Sequence, residues 1–368
     1  MANQQNVPNR WYSKQAAVLP AFSSFGSEND AHLRKLYETD IQIKRATQTN
    51  VINWLTPFLD KFHERITNTC GTVSIVHSGS TWKALKISSP NEFDFQFRFH
   101  DLYKSHLFVL CKILPLDDGM DLIINQDFQH VSCSIPTTVI KEIFRRIAQD
   151  VLATQKDKYQ NPSISIHGPA VTVRFNNAPI EGPVSVDLVP SIAVEVTDVK
   201  NQIPTDLLQF TYNQGQKEEF WKQIECVPKE PNTSATHLWK RSYTSQEKFI
   251  VKYLLPLEAR HAIKILKLIR DRKRLTMLKS YFFQCVVLWI YIRAFEQTKG
   301  LTTSQLLAWA IELLIGAVQK KHLGDTFFPH INLLMEIQED DVTRIVASLS
   351  NIKEALQGNG SLIQAIPL

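Results

Sequence analysis

Three carboxylates stand out by their placement. The stretch EFDFQFRF (92–99) alternates strictly, so on a strand Phe93, Phe95, Phe97 and Phe99 share one face and Glu92, Asp94, Gln96 and Arg98 the other. Glu92 and Asp94 are then about 7 Å apart at Cβ, as next-but-one strand residues are. Like charges that close raise each other's pKa unless a cation sits between them. A third acid, Asp187, is set in the apolar run VSVDLVP (184–190), where an unpartnered charge is expensive. Three carboxylates on adjacent strands make an oxygen-ligand site for Mg²⁺, with Mn²⁺ as a substitute. Two ions sharing such a site activate an attacking hydroxyl and stabilise a leaving oxygen in phosphoryl or nucleotidyl transfer. Upstream, Gly79 and Ser80 follow the apolar run TVSIV. Small residues after a strand let backbone N–H groups approach an anion, and Ser80 adds a hydroxyl. Alternation is also the ordinary pattern of a half-exposed antiparallel strand, so the acids gain specificity only in combination with the Gly-Ser pair.

The elements that must position these residues can be read from periodicity. Residues 1–27 are polar and form a loose tail. From there to about Arg65, apolar residues recur at three- and four-residue spacings, giving one long helix or two consecutive ones, with Pro57 as a kink or break. Strand patterns follow at 72–78, 92–99, 106–114, 163–168, 170–175 and 184–196, interrupted by a helix over Thr137–Ala153. After about Pro204 the pattern is mostly helical: 244–255, 257–273, 280–297, 302–320 and 332–356. The expected architecture is α+β: a mixed-sheet lobe with a long N-terminal helix over 28–204, then a helical lobe over 205–368.

The 368 residues suffice for a bilobal unit with a substantial core. Five scattered cysteines without a CxxC pair argue against a disulfide framework and a structural zinc site, and fit a reducing, cytoplasmic setting. No leader pattern and no membrane span are visible. Between Leu257 and Ser280 the chain carries Arg260, Lys264, Lys267, Arg270, Arg272, Lys273, Arg274 and Lys279 against Glu258 and Asp271, a local excess above the whole chain's +5. Such an excess suits a polyanion or nucleotide phosphates, and equally a solvated helix face.

The stretch GSTWKALKISSPNEFDFQF closely resembles the Gly-Ser … Glu-x-Asp signature of cyclic GMP–AMP synthase and its relatives, the cGAS-like receptors. These belong to the nucleotidyltransferase superfamily that also holds the oligoadenylate synthetases. WKRSYTSQEKFIV, HAIKILKLIRD and KSYFFQCVVLWI are similar to the family's lobe junction and to its two helices that hold nucleotide phosphates and base. The resemblance implies a bilobal nucleotidyltransferase fold with a spine helix linking the lobes. It implies that Gly79 and Ser80 contact nucleotide phosphates, that Glu92, Asp94 and Asp187 bind two Mg²⁺, that Lys267 and Ser280 hold the triphosphate, and that Tyr281 stacks on a base. Lys240, Ser242 and Thr244 fall where the family reads the acceptor nucleotide, and Arg34, Lys35, Arg260 and Lys264 where the vertebrate synthase grips duplex nucleic acid.

Two departures matter. Where the vertebrate synthase carries a His/Cys zinc module, only KYLLPLEAR intervenes, with no Cys and no His before His261. The grounds for DNA as activator go with it. Zinc-less invertebrate relatives include receptors for double-stranded RNA, and an A-form duplex is held through phosphates and shape. Second, Lys240 stands where the synthase has arginine, whose planar fork reads a base edge differently. The expectation is an innate immune sensor that makes a cyclic dinucleotide from ATP and/or GTP when activated by a duplex, RNA over DNA, with more than one copy assembling on the duplex. The alternatives are a linear oligoadenylate-type synthase, a receptor for another ligand, or a non-catalytic scaffold.

Overall fold

The computed structural model describes residues 27–41, 45–87, 89–100, 123–124, 130–132, 137–196, 199–228, 238–358 and 362–366. The expected strand at 106–114 and nearly all of the expected tail lie outside them. The chain forms two compact units. A sheet unit takes Ile43–Gln202 and Glu218–Phe249, and a helical unit takes Met1–Gln42, Ile203–Lys217 and Ile250–Leu368.

The sheet unit opens with α2 (Arg45–Cys70), which follows α1 (Ser27–Leu36) and a π-helical turn (Tyr37–Ile41) of the helical unit. Of the two expectations for this run, one long helix or two consecutive ones, the second is realised. Pro57 does not break α2. Carbonyls around the proline take side-chain donors instead: the Tyr159 hydroxyl donates to Trp54 O at 2.8 Å and Gln155 Nε2 to Pro57 O at 3.0 Å. After α2 come β1 (Val73–Ser78), α3 (Gly79–Trp82), β2 (Glu92–Phe99), β3 (Ile123–Ile124), β4 (His130–Ser132), α4 (Thr137–Ala153), β5 (Ser163–His167), β6 (Ala170–Phe175) and β7 (Val184–Glu195). α5 (Val199–Gln202), β8 (Gln223–Pro228), β9 (Leu238–Ser242) and α7 (Thr244–Phe249) complete the unit, with α6 (Thr205–Asn213) of the helical unit falling between α5 and β8.

The strands form one mixed sheet ordered β1-β2-β7-β8-β9-β4-β3, with β6 also on β7 and β5 on β6. β2 and β7 run parallel, and their neighbours are antiparallel. The alternation of β2 is realised as expected: its four phenylalanines are buried. They meet α2 and α4 in an aromatic core, with Phe97 4.9 Å from Phe62 and 5.7 Å from Phe144 between ring centroids.

β8 and β9 lie in the stretch after Pro204 that was expected to be mostly helical, and the division between units differs from the expected one at 204/205. Residues 218–249 belong with the sheet because Ile192 of β7 pairs with Cys226 of β8, and Val227 of β8 with Lys240 of β9. The helical unit contains α8 (Leu257–Arg272), α9 (Ser280–Thr298), α10 (Thr303–Gln319), α11 (Glu339–Leu356) and α12 (Leu362–Ala365). α9 is buried over most of its length, as a helix apolar on every side must be. α10 starts at a full capping box between Thr302 and Gln305. The expected helix over 244–255 gives way to a π-helical turn at Ile250–Leu254, and the one expected from 332 begins at Glu339.

Candidate active site

The acids come together through register. β2 lies between β1 and β7, which pairs Asp94 with Ser78 on one side and with Asp187 on the other. β6 then sets Thr172 beside Asp187, so Ser78, Asp94, Asp187 and Thr172 form one row across four strands. The Thr172 hydroxyl donates to Asp187 Oδ1 at 2.6 Å and orients that carboxylate. Burial, then the charges of Glu92 and Asp187, pushes Asp94 up to about 6, against the opposing influence of Lys83 and Lys86. Burial raises Asp187 too, with the Thr172 hydrogen bond acting against it.

Glu92 sits at the edge of this row. Its side chain is 54% exposed and its carboxylate holds Lys86 Nζ at 2.7 Å. Among the described residues no three His, Cys, Asp or Glu side chains stand in metal-holding geometry. The residues nevertheless fit a divalent cation. Two half-buried carboxylates stand side by side in register, and a cation between them would offset both the burial penalty and the repulsion that disfavour their charged forms.

The Gly-Ser turn closes over the same row. Gly79 has φ +74°, and a Cβ built there would lie 1.7 Å from Asp94 Oδ2. The position favours glycine, because its backbone lies in the left-handed region and a side chain there would have to displace the Asp94 carboxylate. The half-buried Ser80 follows it. Ser80 O accepts from Leu85 N at 2.9 Å, and the Thr81 hydroxyl donates to Glu92 O at 2.8 Å, fixing the turn to the start of β2.

The rest of the polar face of β2 is covered by polar partners rather than water. Gln96 Nε2 donates to Thr244 Oγ1 at 3.0 Å, and Thr244 Oγ1 shares a 2.6 Å bond with Ser242 Oγ. Arg98 pairs with the buried Glu225 and donates to Ser245 Oγ at 2.9 Å. Helix α7 is thereby seated on the strand that bears Asp94, and two of the expected acceptor-nucleotide residues, Ser242 and Thr244, are tied to it. Lys240 is exposed on β9.

Lys267, Ser280 and Tyr281 lie in the helical unit. Lys267 is 5% exposed among the buried positions of α8. Ser280 begins α9 and its hydroxyl accepts from Arg270 Nη1 at 2.5 Å, while Tyr281 is half-buried. Of the expected nucleic-acid residues, Arg34 and Lys35 are exposed on α1. Arg260 is half-buried and donates to Lys252 O at 3.1 Å. Lys264 is an internal residue, 8% exposed, with Nζ 3.0 Å from the Tyr37 hydroxyl and above its ring. It faces inward because α8 buries Ala262, Ile263, Ile265 and Leu266 around it. Much of the basic excess of this segment is likewise paired: Arg270 with Asp271, Arg272 with Asp40 and Lys279 with Glu336. Sequence reasoning missed Thr172 and Lys83, and did not foresee the partners of Arg270 and Gln96. Thr172 alone carried a signal, as a lone hydroxyl inside the strand AVTVRF.

Residues 81–252 match the model of the Mab-21 protein nucleotidyltransferase domain, and residues 258–351 that of the Mab-21 protein HhH/H2TH-like domain. The chain is 22% identical over 354 residues to a cyclic GMP-AMP synthase-like receptor of Magallana gigas, covering 89% of this chain and 59% of that protein. It is 23% identical over 325 residues to a cyclic GMP-AMP synthase-like receptor of Nicrophorus vespilloides, covering 78% of this chain and 80% of that protein. It thus spans about three-fifths of the length of the Magallana relative. No helix among the described residues is long and apolar enough to cross a membrane.

Proposed function

From the membership of this chain in the Mab-21 nucleotidyltransferase family, we propose that it is a nucleic-acid-activated synthase of a cyclic dinucleotide, made from ATP and/or GTP and acting in cytoplasmic innate immune sensing. The observation that carries the catalytic part is the register of Asp94 against Asp187 on parallel neighbouring strands, with Gly79 packed on the Asp94 carboxylate. Glu92, Asp94 and Asp187 would hold Mg²⁺, Glu92 by leaving Lys86. Bound there, Mg²⁺ supplies activation of a ribose hydroxyl and neutralisation of triphosphate charge. The hydroxyl gives up its proton to a carboxylate of the row, its oxygen attacks the α-phosphorus of the donor nucleotide, the bond from that phosphorus to the bridging oxygen breaks and pyrophosphate leaves. A second such transfer within the linear product closes the ring. Gly79 and Ser80 hold the donor's phosphate tail, Lys267 and Ser280 the triphosphate and Tyr281 a base. Lys240, Ser242 and Thr244 meet the acceptor.

The duplex would be double-stranded RNA. The segment KYLLPLEAR carries no Cys or His, and the exposed Arg34 and Lys35 offer phosphate contacts without base readout. The test is incubation of purified protein with ATP, GTP and Mg²⁺, with and without RNA or DNA duplexes, and product mass as the readout. A cyclic product that appears only with RNA is expected. A product retaining its terminal triphosphate would indicate a linear synthase, and no product under any duplex would overturn the reading.

A further inference from the structure

We propose that Lys83 is a positioning residue that makes the Gly79–Ser80 turn and helix α7 one mechanical unit, so that the donor and acceptor nucleotides bind cooperatively. The roles of the two segments rest on the nucleotidyltransferase reading above, and their coupling rests on the geometry. Lys83 closes α3, donating its backbone N–H to Gly79 O at 3.3 Å. The next residue, Ala84, has φ +59°, a conformation that residues with a side chain seldom adopt. Such strain persists only where the surroundings hold it. Lys83 Nζ lies 2.7 Å from Glu247 Oε2, with the two side chains 10% and 12% exposed. A pair that buried holds only while both members are present, because either one alone is an uncompensated charge away from water.

Glu247 sits one turn into α7, and its N–H donates to Tyr243 O at 2.7 Å. The same helix begins at Thr244, bonded to Gln96 and Ser242. Gln96 stands two residues along β2 from Asp94, against which Gly79 packs. The connections therefore close a ring: Gly79 and Ser80 to Lys83, Lys83 to Glu247, α7 to Gln96, and β2 back to Asp94 and Gly79. A nucleotide that orders the turn through its phosphates orders Ser242 and Thr244 as well, so the second nucleotide meets a site with less freedom to lose. Coupling of that kind is reciprocal: each nucleotide tightens the other by the same factor.

The test uses the full chain with Mg²⁺, a saturating RNA duplex and α,β-methylene analogues of ATP and GTP, so that binding is read without turnover. Each analogue is titrated with and without saturating amounts of the other, in the wild type, Lys83→Met, Lys83→Arg and the charge-swapped Lys83→Glu/Glu247→Lys. In the wild type each analogue should tighten the other within the roughly 5- to 150-fold range of such couplings. In Lys83→Met that factor should fall to about 1, while Lys83→Arg and the charge swap restore most of it. Amide hydrogen exchange gives a second readout that needs no nucleotide. Residues 79–85 and 244–249 should exchange at matched rates in the wild type and speed up together in Lys83→Met, with residues 137–153 of α4 unchanged. Coupling that survives Lys83→Met, or segments that exchange independently, would overturn the proposal. A wild type that binds neither analogue would overturn the nucleotidyltransferase reading and leave the exchange experiment to judge the ring of contacts.

Discussion

Asp94 sets the stability of the fold against the chemistry proposed for it. Its pKa in the folded chain, about 6, lies above the ordinary 3.8, so the folded protein holds that proton more tightly than the unfolded chain does. The penalty is absent below pH 4, grows as pH rises toward 6, and is fully present above it. A shift of that size corresponds to about 3 kcal/mol. Asp94→Asn should therefore abolish nucleotidyl transfer yet raise the melting temperature at pH 7 in the presence of a chelator, with the gain vanishing below pH 4. Thermal unfolding of both proteins across that range checks the sign. Thr172 acts on the neighbouring acid. Thr172→Val removes the 2.6 Å bond that aims Asp187 and should weaken Mn²⁺ binding by about 10- to 100-fold, the usual effect of losing such an orienting partner. Thr172→Ser should retain most of the affinity, and titration by electron paramagnetic resonance separates the two variants.

At the scale of elements, the sheet unit depends on β2 having two different faces. Its phenylalanine face is sealed by α2 and α4, and Phe62 of α2 packs against both Phe97 of β2 and Phe144 of α4. Phe62→Ala should destabilise the protein by about 3–5 kcal/mol, as loss of a fully buried aromatic does, read as a lower midpoint in urea. The opposite face is closed by α7 through Gln96, Arg98 and their partners, which leaves the Asp94 end of the strand for the Gly-Ser turn. Gly79→Ala tests that closure. The added methyl displaces the Asp94 carboxylate and forces an unfavourable φ, so nucleotide binding should fall well before the far side of the sheet loses its hydrogen-exchange protection.

Over the whole molecule, the placement of charge differs from its amount. The chain's +5 is modest, and the strongly basic segment after Leu257 directs Lys264, Arg270 and Arg272 to partners within the helical unit. A duplex would then rely on exposed cations such as Arg34 and Lys35. Arg34→Glu with Lys35→Glu should weaken binding of RNA duplexes of any sequence and lower the slope of log affinity against log salt by about 2. Fluorescence anisotropy at several salt concentrations measures both. An unchanged slope would move the contact surface elsewhere.

The amino-acid sequence by itself determined the face assignment of β2, because alternation of phenylalanine and polar residues leaves a strand one way to bury. It also determined α4, β6, β7 and the presence of Gly79 beside the acids, each through local spacing. It could not determine which strands are neighbours. Asp94 and Asp187 are far apart in the chain, and only the parallel pairing of β2 with β7 makes them a site. β8 and β9 escaped periodicity because their short segments sit among helical patterns, and their pairing with β7 and with each other defines them. The partners of charges were equally invisible. Lys83 meets Glu247, Lys86 meets Glu92 and Lys264 meets Tyr37, and whether a lysine faces water, a phosphate or a neighbour depends on what packs beside its helix. Composition and spacing carry the chemistry a residue can perform, whereas register and burial decide which other residue it performs it with.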